Sequence, residues 1–325
     1  MRAAYINEFG PSRSIRFGEL PDPRPGVHDV LVDVDVTTAN HVDTFIRSGA
    51  VNEPVEFPFV VGRDLVGRVA AVGEGVTGFE VGQRVWCNSL GHGGRQGAAA
   101  ERAVVPAERL YRLPDGAAPE TAVTLLHPAA TAYLGLVTHG GLRAGTTVVV
   151  VGAAGNVGAA IVTIAAGAGA RVVAVAHERD TAYCRALGAD VVVDRRGDDL
   201  STRLSRATPE GVDLYLDAAG VNDLATAVGL LAWRGRIVLL AGLHTTPSLP
   251  IGPLYVQDRS IVGFAITRAT DRELAKAAHC VNGLLTDGRL RPREVHTLPL
   301  SATAEAHRML EAGELHGRRV ALTTA

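Results

Sequence analysis

A short glycine-rich turn carries the clearest chemistry in this chain. Ala153-Ala154-Gly155-Asn156-Val157-Gly158 reads A-x-G-x-x-G and follows four consecutive valines, Val148 to Val151. Residues without bulk let a pyrophosphate approach the backbone, and a helix starting there presents unpaired N–H groups and a positive dipole end. The pattern therefore predicts a dinucleotide phosphate cradle with Ala154, Gly155, Asn156, Val157 and Gly158 as its contacts. A second group lies at Val173–Arg179, a strand pattern ending in Ala176-His177 with Arg179 just beyond. A carboxylate at such a tip holds the ribose diol of NAD, whereas His177 and Arg179 offer donors to a 2′-phosphate. NADPH is the expected cofactor on that ground, with Glu178 as the ribose ligand of the alternative, NADH. A third group is Asn40, His41, Asp43 and Arg47. The His41 imidazole titrates in a range suited to acid–base work, while Asp43 and Arg47 have the helical pairing distance and read as an ion pair fixing local shape.

These groups need elements to position them. After the Val148–Val151 strand and the helical pattern Ala159–Ala168 come five apolar runs, Arg171–Ala176, Asp190–Asp194, Val212–Asp217, Gly235–Ala241 and Ser260–Ile266. Helical patterns such as Thr181–Leu187 and Leu224–Trp233 separate them, which describes a doubly wound parallel sheet with a nucleotide across its strand carboxyl ends. Residues 1–120 read differently. Alternating runs at Val30–Val36, Leu65–Val72 and Arg102–Pro106 between glycine and proline clusters indicate an antiparallel, partly closed β-domain. The later patterns Asp271–Leu285, Ser301–Ala312 and Val320–Thr323 return to that domain in the most economical arrangement. The fold expected is α/β, with a dinucleotide domain at 122–264 inserted into a β-domain of residues 1–121 and 265–325.

Composition narrows the partners. A chain of 325 residues exceeds one ordinary core, consistent with two domains. A formal net charge of −2 argues against nucleic acid or an anionic membrane surface as partner. Cys87, Cys184 and Cys280 form no C-x-x-C pair, and the 11 histidines show no H-E-x-x-H or H-x-H spacing, so neither a disulfide framework nor a zinc cluster is expected. The apolar stretch at 146–176 is broken by Asn156, glycines and Arg171, so strand–turn–helix–strand describes it better than a membrane span. The amino-terminal residues carry no apolar signal-peptide core, and a cytoplasmic location is expected.

Several ordered motifs then resemble a known family. Asn40–Gly49 is similar to an N-x-V-D-x-Y-x-R-x-G signature, and Val61-Gly62-Arg63-Asp64-Leu65-Val66-Gly67 stands where metal-dependent relatives have G-H-E-x-x-G. Gly78 to Val85 resembles G-x-x-x-G-D-R-V with Gln83 for aspartate. Leu113-Pro114-Asp115-Gly116, Thr131-Ala132-Tyr133, Gly152–Gly158, Ala304–Leu310 and Gly317-Arg318-Arg319-Val320 follow in family order. On these residues the chain resembles the zinc-free quinone oxidoreductase branch, which includes zeta-crystallin, of the medium-chain dehydrogenase/reductase superfamily. The resemblance implies a GroES-like partly closed β-barrel as catalytic domain beside a Rossmann dinucleotide-binding domain, and a homodimer formed through sheet edges, for which Ile261–Ile266 is a suitable edge strand.

It also implies roles. Asn40 and Thr131 approach the nicotinamide ribose. Ala219, Gly220, Ala241, Gly242, Leu243, Phe264, Ala265 and Ile266 line the nicotinamide pocket, Arg319 reaches phosphate or ribose, and Arg195 takes the place of an adenine-stacking tyrosine. Asn40 and Arg63 occupy the places of a cysteine and a histidine that hold zinc in metal-dependent relatives. A guanidinium offers no lone pair, so no metal is expected. Without a Lewis acid for an alkoxide, hydride transfer to a quinone or α,β-unsaturated carbonyl is favoured over ketone reduction. Phe45 and Val51 stand where relatives carry tyrosines, which leaves the proton to solvent, Asn40 or His41 and makes the substrate pocket apolar, with Tyr255 in a loop over it. Two alternatives stay open. One is a natural-product biosynthetic reductase with a bulky apolar substrate; the other is an NADPH-binding protein with little catalytic activity.

Overall fold

Valines at 30, 32, 34 and 36 alternate with Leu31, Asp33 and Asp35, and in the computed structural model all four valines are buried while Asp33 faces solvent. The structure describes residues 1–315 and 317–324. In chain order the first strands are β1 (Arg2–Ile6), β2 (Arg16–Glu19) and β3 (Asp29–Thr37), followed by helix α1 (His41–Ser48). Then come β4 (Phe59–Val60), β5 (Leu65–Val72), β6 (Arg84–Cys87), β7 (Arg102–Pro106), β8 (Tyr111–Arg112) and helix α2 (Pro119–Tyr133). A π-helical segment, Leu134–His139, continues α2.

The parallel part follows as β9 (Thr147–Val151), α3 (Asn156–Gly167), β10 (Arg171–Ala176), α4 (Thr181–Ala186), β11 (Val191–Asp194) and α5 (Leu200–Ala207). It continues with β12 (Val212–Asp217), α6 (Leu224–Leu230), β13 (Leu231–Leu239), α7 (Ile251–Val256) and β14 (Ser260–Gly263). Among the described residues these strands form one all-parallel sheet in the order β11-β10-β9-β12-β13-β14. Val148, Val149 and Val150 are fully buried at its centre, as a strand covered on both faces requires.

The chain closes with α8 (Asp271–Thr286), β15 (Val295–Pro299), α9 (Thr303–Glu311) and β16 (Arg319–Thr323). β16 pairs with β3, and the larger sheet runs β15-β16-β3-β5-β6-β8 with β7 also on β3; β2-β1-β4 form a separate small sheet. α8 starts at a capping box in which Thr270 and Glu273 satisfy each other's backbone N–H groups, and it docks through Asn282, which bonds Trp86 Nε1 and the Arg112 carbonyl. The chain thus divides into one unit of Met1–His127 with Thr270–Ala325 and another of Pro128–Ala269.

Two elements differ from the sequence reading. The helix expected over Leu224–Trp233 stops at Leu230, and strand β13 begins at once. Arg259 explains the change, because its guanidinium takes the carbonyls of Val228, Leu231 and Ala232 that a longer helix would use internally. The strand expected over Ser260–Ile266 ends at Gly263, and Ile266–Arg268 forms a 3-10 turn.

Candidate functional site

In the parallel unit the glycine-rich turn is built from backbone bonds. Gly152 (φ 74°) and Ala153 both donate to the Val175 carbonyl at 3.0 and 3.1 Å, and Gly155 donates to the Gly152 carbonyl at 2.9 Å. Gly155 is the N-cap of α3, so the first-turn N–H groups of the helix open directly onto the turn. A Cβ at Gly158 would stand 2.1 Å from the Gly152 oxygen, which makes glycine the only residue that fits there. Side chains are thus excluded from a concave run of backbone donors, and that cradle fits a pyrophosphate.

The tip of β10 gathers a histidine and two arginines. His177 follows Ala176, and its Nδ1 accepts the Arg179 N–H at 3.1 Å, which folds Glu178–Asp180 into a 3-10 turn. The Arg195 N–H donates to the Ala176 carbonyl at 2.7 Å and so brings that exposed arginine to the same tip. Asp194, opposite Ala176 in the sheet register, accepts the Arg196 N–H. Glu178 is exposed on the turn rather than at the strand end.

At the carboxyl ends of the next strands, Ala219 and Gly220 follow β12, and Ala241, Gly242 and Leu243 follow β13. Both loops are fastened by Asp217 and Asn222, which the sequence reading did not single out. An aspartate closing a strand before a run of small residues is a recognisable signal for side chain to backbone bonding. Phe264 stacks on His139 with ring centroids 4.6 Å apart, Ala265 is exposed, and Ile266 is buried. Thr131, on α2, has a buried hydroxyl without a hydrogen-bond partner among the described residues. Tyr255 is 70 % exposed on α7.

The β-rich unit holds a buried polar cluster drawn from three distant segments. Asn40 caps α1; its N–H donates to Asp43 Oδ2 at 2.7 Å and its Nδ2 to Asp64 Oδ2 at 2.9 Å. Arg63 and Asp64 are fully buried, and His127 Nδ1 lies 3.8 Å from Asp64 Oδ1. None of the three Arg63 side-chain nitrogens has a hydrogen-bond partner among the described residues. Burial pushes the Asp43 carboxyl up to about 6, against the pull of the Asn40 bonds and Arg63. Burial and the Asp43 charge raise Asp64 well above the usual carboxylate range. Burial and then Arg63 hold His127 down at about 3, so the imidazole is neutral.

Around this cluster α1 presents its other residues. His41 is exposed at the first position; even so, desolvation by its surroundings holds the imidazole below its ordinary value, with Glu311 pulling the other way. Phe45 and Val51 are half-buried, the latter packed against the core that holds Ile46 and Phe59. The Asp43–Arg47 pairing expected from spacing is absent: Asp43 bonds the Asn40 backbone, and the buried Arg47 reaches instead to Glu311 on α9. Arg319 is 4 % exposed inside this unit, where it donates to the Thr124 carbonyl at 3.0 Å.

Known proteins share both halves of this arrangement. Residues 26–115 match the alcohol dehydrogenase GroES-like domain family and residues 155–282 the zinc-binding dehydrogenase family. A solved NAD-dependent alcohol dehydrogenase is 30 % identical, with all of both chains covered and a TM-score of 0.89. The chain belongs to the quinone oxidoreductase-like branch of the medium-chain dehydrogenase/reductase superfamily. It is an oxidoreductase with the GroES-like and Rossmann folds of that superfamily. Human quinone oxidoreductase is 28 % identical over 94 % of this chain and 93 % of its own. Acryloyl-coenzyme A reductase of Sulfurisphaera tokodaii is 27 % identical over 93 % and 94 %. The structure of mycobacterial Rv1454c complexed with NADPH is 28 % identical, covers 99 % of this chain and all of that one, and has a TM-score of 0.86. These neighbours differ in cofactor and in acceptor, so the choice between them rests on this chain's own residues.

Proposed function

We propose that the chain is an NADPH-dependent reductase that delivers hydride to a quinone or an α,β-unsaturated carbonyl compound without a catalytic metal. The observation that carries this reading is the buried Arg63 guanidinium facing the charges of Asp43 and Asp64, with Asn40 bonded to both carboxylates. Asn40 and Arg63 do not fit a catalytic zinc: the amide is committed to Asp64, and a guanidinium is a fixed cation without a donor lone pair. A group of three or more metal-ligating side chains is also absent among the described residues. An isolated ketone needs a Lewis acid or a positioned proton donor for its alkoxide, and Phe45 and Val51 lack the phenol that could serve, whereas a quinone or enone spreads the arriving charge through its conjugated system. The acryloyl-thioester and quinone reductases among the relatives support the same acceptor class.

NADPH, when bound, supplies the hydride. The residues of this chain bind, orient and exclude water. The backbone at 154–158 takes the pyrophosphate, and His177, Arg179 and Arg195 at the β10 tip take the 2′-phosphate and adenine end. Thr131, Ala219, Gly220, Ala241, Gly242, Leu243, Phe264, Ala265 and Ile266 hold the nicotinamide half, while Asn40 stays bonded to Asp64 within the β-rich unit. Arg319 acts inside the β-rich unit by holding α2 rather than by touching cofactor. Phe45 and Val51 in the β-rich unit are the proposed substrate-facing residues there, and Tyr255 is the proposed one in the parallel unit; the missing phenol hydroxyls at 45 and 51 make the substrate surroundings apolar. Desolvation lowers the His41 imidazole and so disfavours its charged, proton-donating form, which supports solvent as the proton source.

The proposal includes a division of labour, with the catalytic domain in residues 1–121 and 265–325 and the dinucleotide domain in 122–264. It also includes a cytoplasmic homodimer; no helix among the described residues is long and apolar enough to cross a membrane. The test is NADPH consumption by chelator-treated protein against a panel of quinones, enals, enones and simple ketones. Turnover of the conjugated acceptors alone supports the reading; turnover of ketones that returns only on adding zinc overturns it. Phe45 and Val51, lacking phenol hydroxyls, favour one second reading, in which common quinones turn over poorly and a bulky apolar biosynthetic intermediate is the substrate.

A further inference from the structure

One carboxylate holds the loop that follows β12. Asp217 is 2 % exposed; its Oδ1 accepts the N–H groups of Ala219 (2.8 Å) and Gly220 (2.9 Å), and its Oδ2 accepts that of Asn222 (2.6 Å). Asn222, in the left-handed region at φ 53°, passes the constraint on. Its Nδ2 donates to the Ala241 carbonyl at 3.0 Å and to Thr245 Oγ1 at 2.9 Å, and Thr245 Oγ1 in turn donates to the Gly242 carbonyl at 2.8 Å. The interlock has no slack. A Cβ at Gly220 would stand 2.8 Å from the Gly242 nitrogen, and one at Gly242 only 2.3 Å from Asn222 Nδ2. A Cβ at Gly152 would stand 3.0 Å from the Ala219 nitrogen, and Ala218 donates to the Val151 carbonyl at 2.9 Å.

Turns from three neighbouring strands, β9, β12 and β13, are thus one assembly at their carboxyl ends. It lies where the strand order reverses, between β9 and β12. In a doubly wound sheet the first half takes the adenosine side of a dinucleotide and the second half, which supplies the β12 and β13 turns of this assembly, takes the nicotinamide side. We propose that Asp217 is a positioning residue for the nicotinamide ring: its three backbone bonds, relayed by Asn222, set the 218–222 and 241–245 loops at the height from which hydride leaves. The inference rests on the NADPH reading above.

The geometry sets the consequence of each substitution. Asp217→Asn keeps the shape, but an amide accepts through one oxygen and turns N–H groups toward the other donors, so one anchor is lost. A displacement near 1 Å at a reacting centre costs on the order of a hundredfold in rate. Titrations of wild type, Asp217→Asn and Asn222→Ala with NADPH and with adenosine 2′,5′-bisphosphate, which reports the adenosine half alone, form the test. Both variants are expected to bind the bisphosphate within about twofold of wild type, to bind NADPH about tenfold or more weakly, and to lose about tenfold or more in kcat. A purely structural role would lower the melting temperature while leaving the ratio of the two affinities and kcat at wild type, and that result overturns the inference. Equal weakening of both ligands also overturns it. Asn222→Ala decides the matter if Asp217→Asn does not fold. Wild type that fails to bind NADPH overturns the functional reading and this inference together; wild type that binds while both variants match it overturns this inference alone.

Discussion

Burying an arginine beside two aspartates is costly, and the consequence can be read from pH. Asp43 is fully desolvated and its carboxyl is pushed up to about 6. An acid with a raised folded-state value binds its proton more tightly folded than unfolded, so stability falls as pH rises from the ordinary carboxyl range to about 6, then levels. Asp43→Asn keeps an oxygen for the Asn40 N–H and removes the titration. Denaturant unfolding at pH 4 and pH 7 is expected to show the variant gaining about 1–3 kcal/mol on wild type between the two; parallel curves would show that Asp43 is not the titrating group. At the β10 tip, Arg179 is exposed and only its backbone N–H is engaged among the described residues, so its side chain is available to a 2′-phosphate. Arg179→Ala is expected to weaken NADPH binding about tenfold or more, the loss of a charged hydrogen bond, with NADH binding unchanged. Equal loss for both cofactors would place Arg179 elsewhere.

The elements differ in how plainly their residues declare them. β9 and α3 are legible because a fully buried parallel strand demands an apolar β-branched run, and the turn after it demands missing side chains. Gly158→Ala tests that demand directly: with its Cβ 2.1 Å from the Gly152 oxygen, the turn must open. The variant is expected to lose about 1–3 kcal/mol of stability and measurable NADPH affinity; retained affinity by titration would mean that the cradle is not the phosphate site. Leu230-Leu231-Ala232-Trp233 fits helical and extended periodicity equally, and only Arg259, some 26 residues further on, settles where α6 stops. The same distance effect hid the polar cluster. Asn40, Arg63, Asp64 and His127 are ordinary polar residues in three segments, and their convergence depends on the pairing of β3, β5 and the packing of α2, which no local pattern encodes. Asp217 was legible in part: an aspartate closing a strand before small residues signals side chain to backbone bonding, but its relay through Asn222 to the loop after β13 shows only once the strands are side by side.

At the scale of the molecule, the cofactor reading draws on one unit and the metal-free reading on the other. Association adds a third property. β14 ends the parallel sheet among the described residues, and the helix just before it exposes Ile251 and Val256. An unpaired strand edge and exposed apolar side chains together favour self-association, so a dimer is expected by light scattering, and a monomer at working concentration contradicts the proposed homodimer. The central claim is metal-free hydride transfer from NADPH to a conjugated acceptor. It is tested most directly by following chelator-treated protein with NADPH deuterated at nicotinamide C4 and an enone. The account predicts NADPH consumption with a primary isotope effect and a product carrying deuterium at the β-carbon. NADPH that binds and is not consumed by any conjugated acceptor, or is consumed only after zinc is restored, would contradict it.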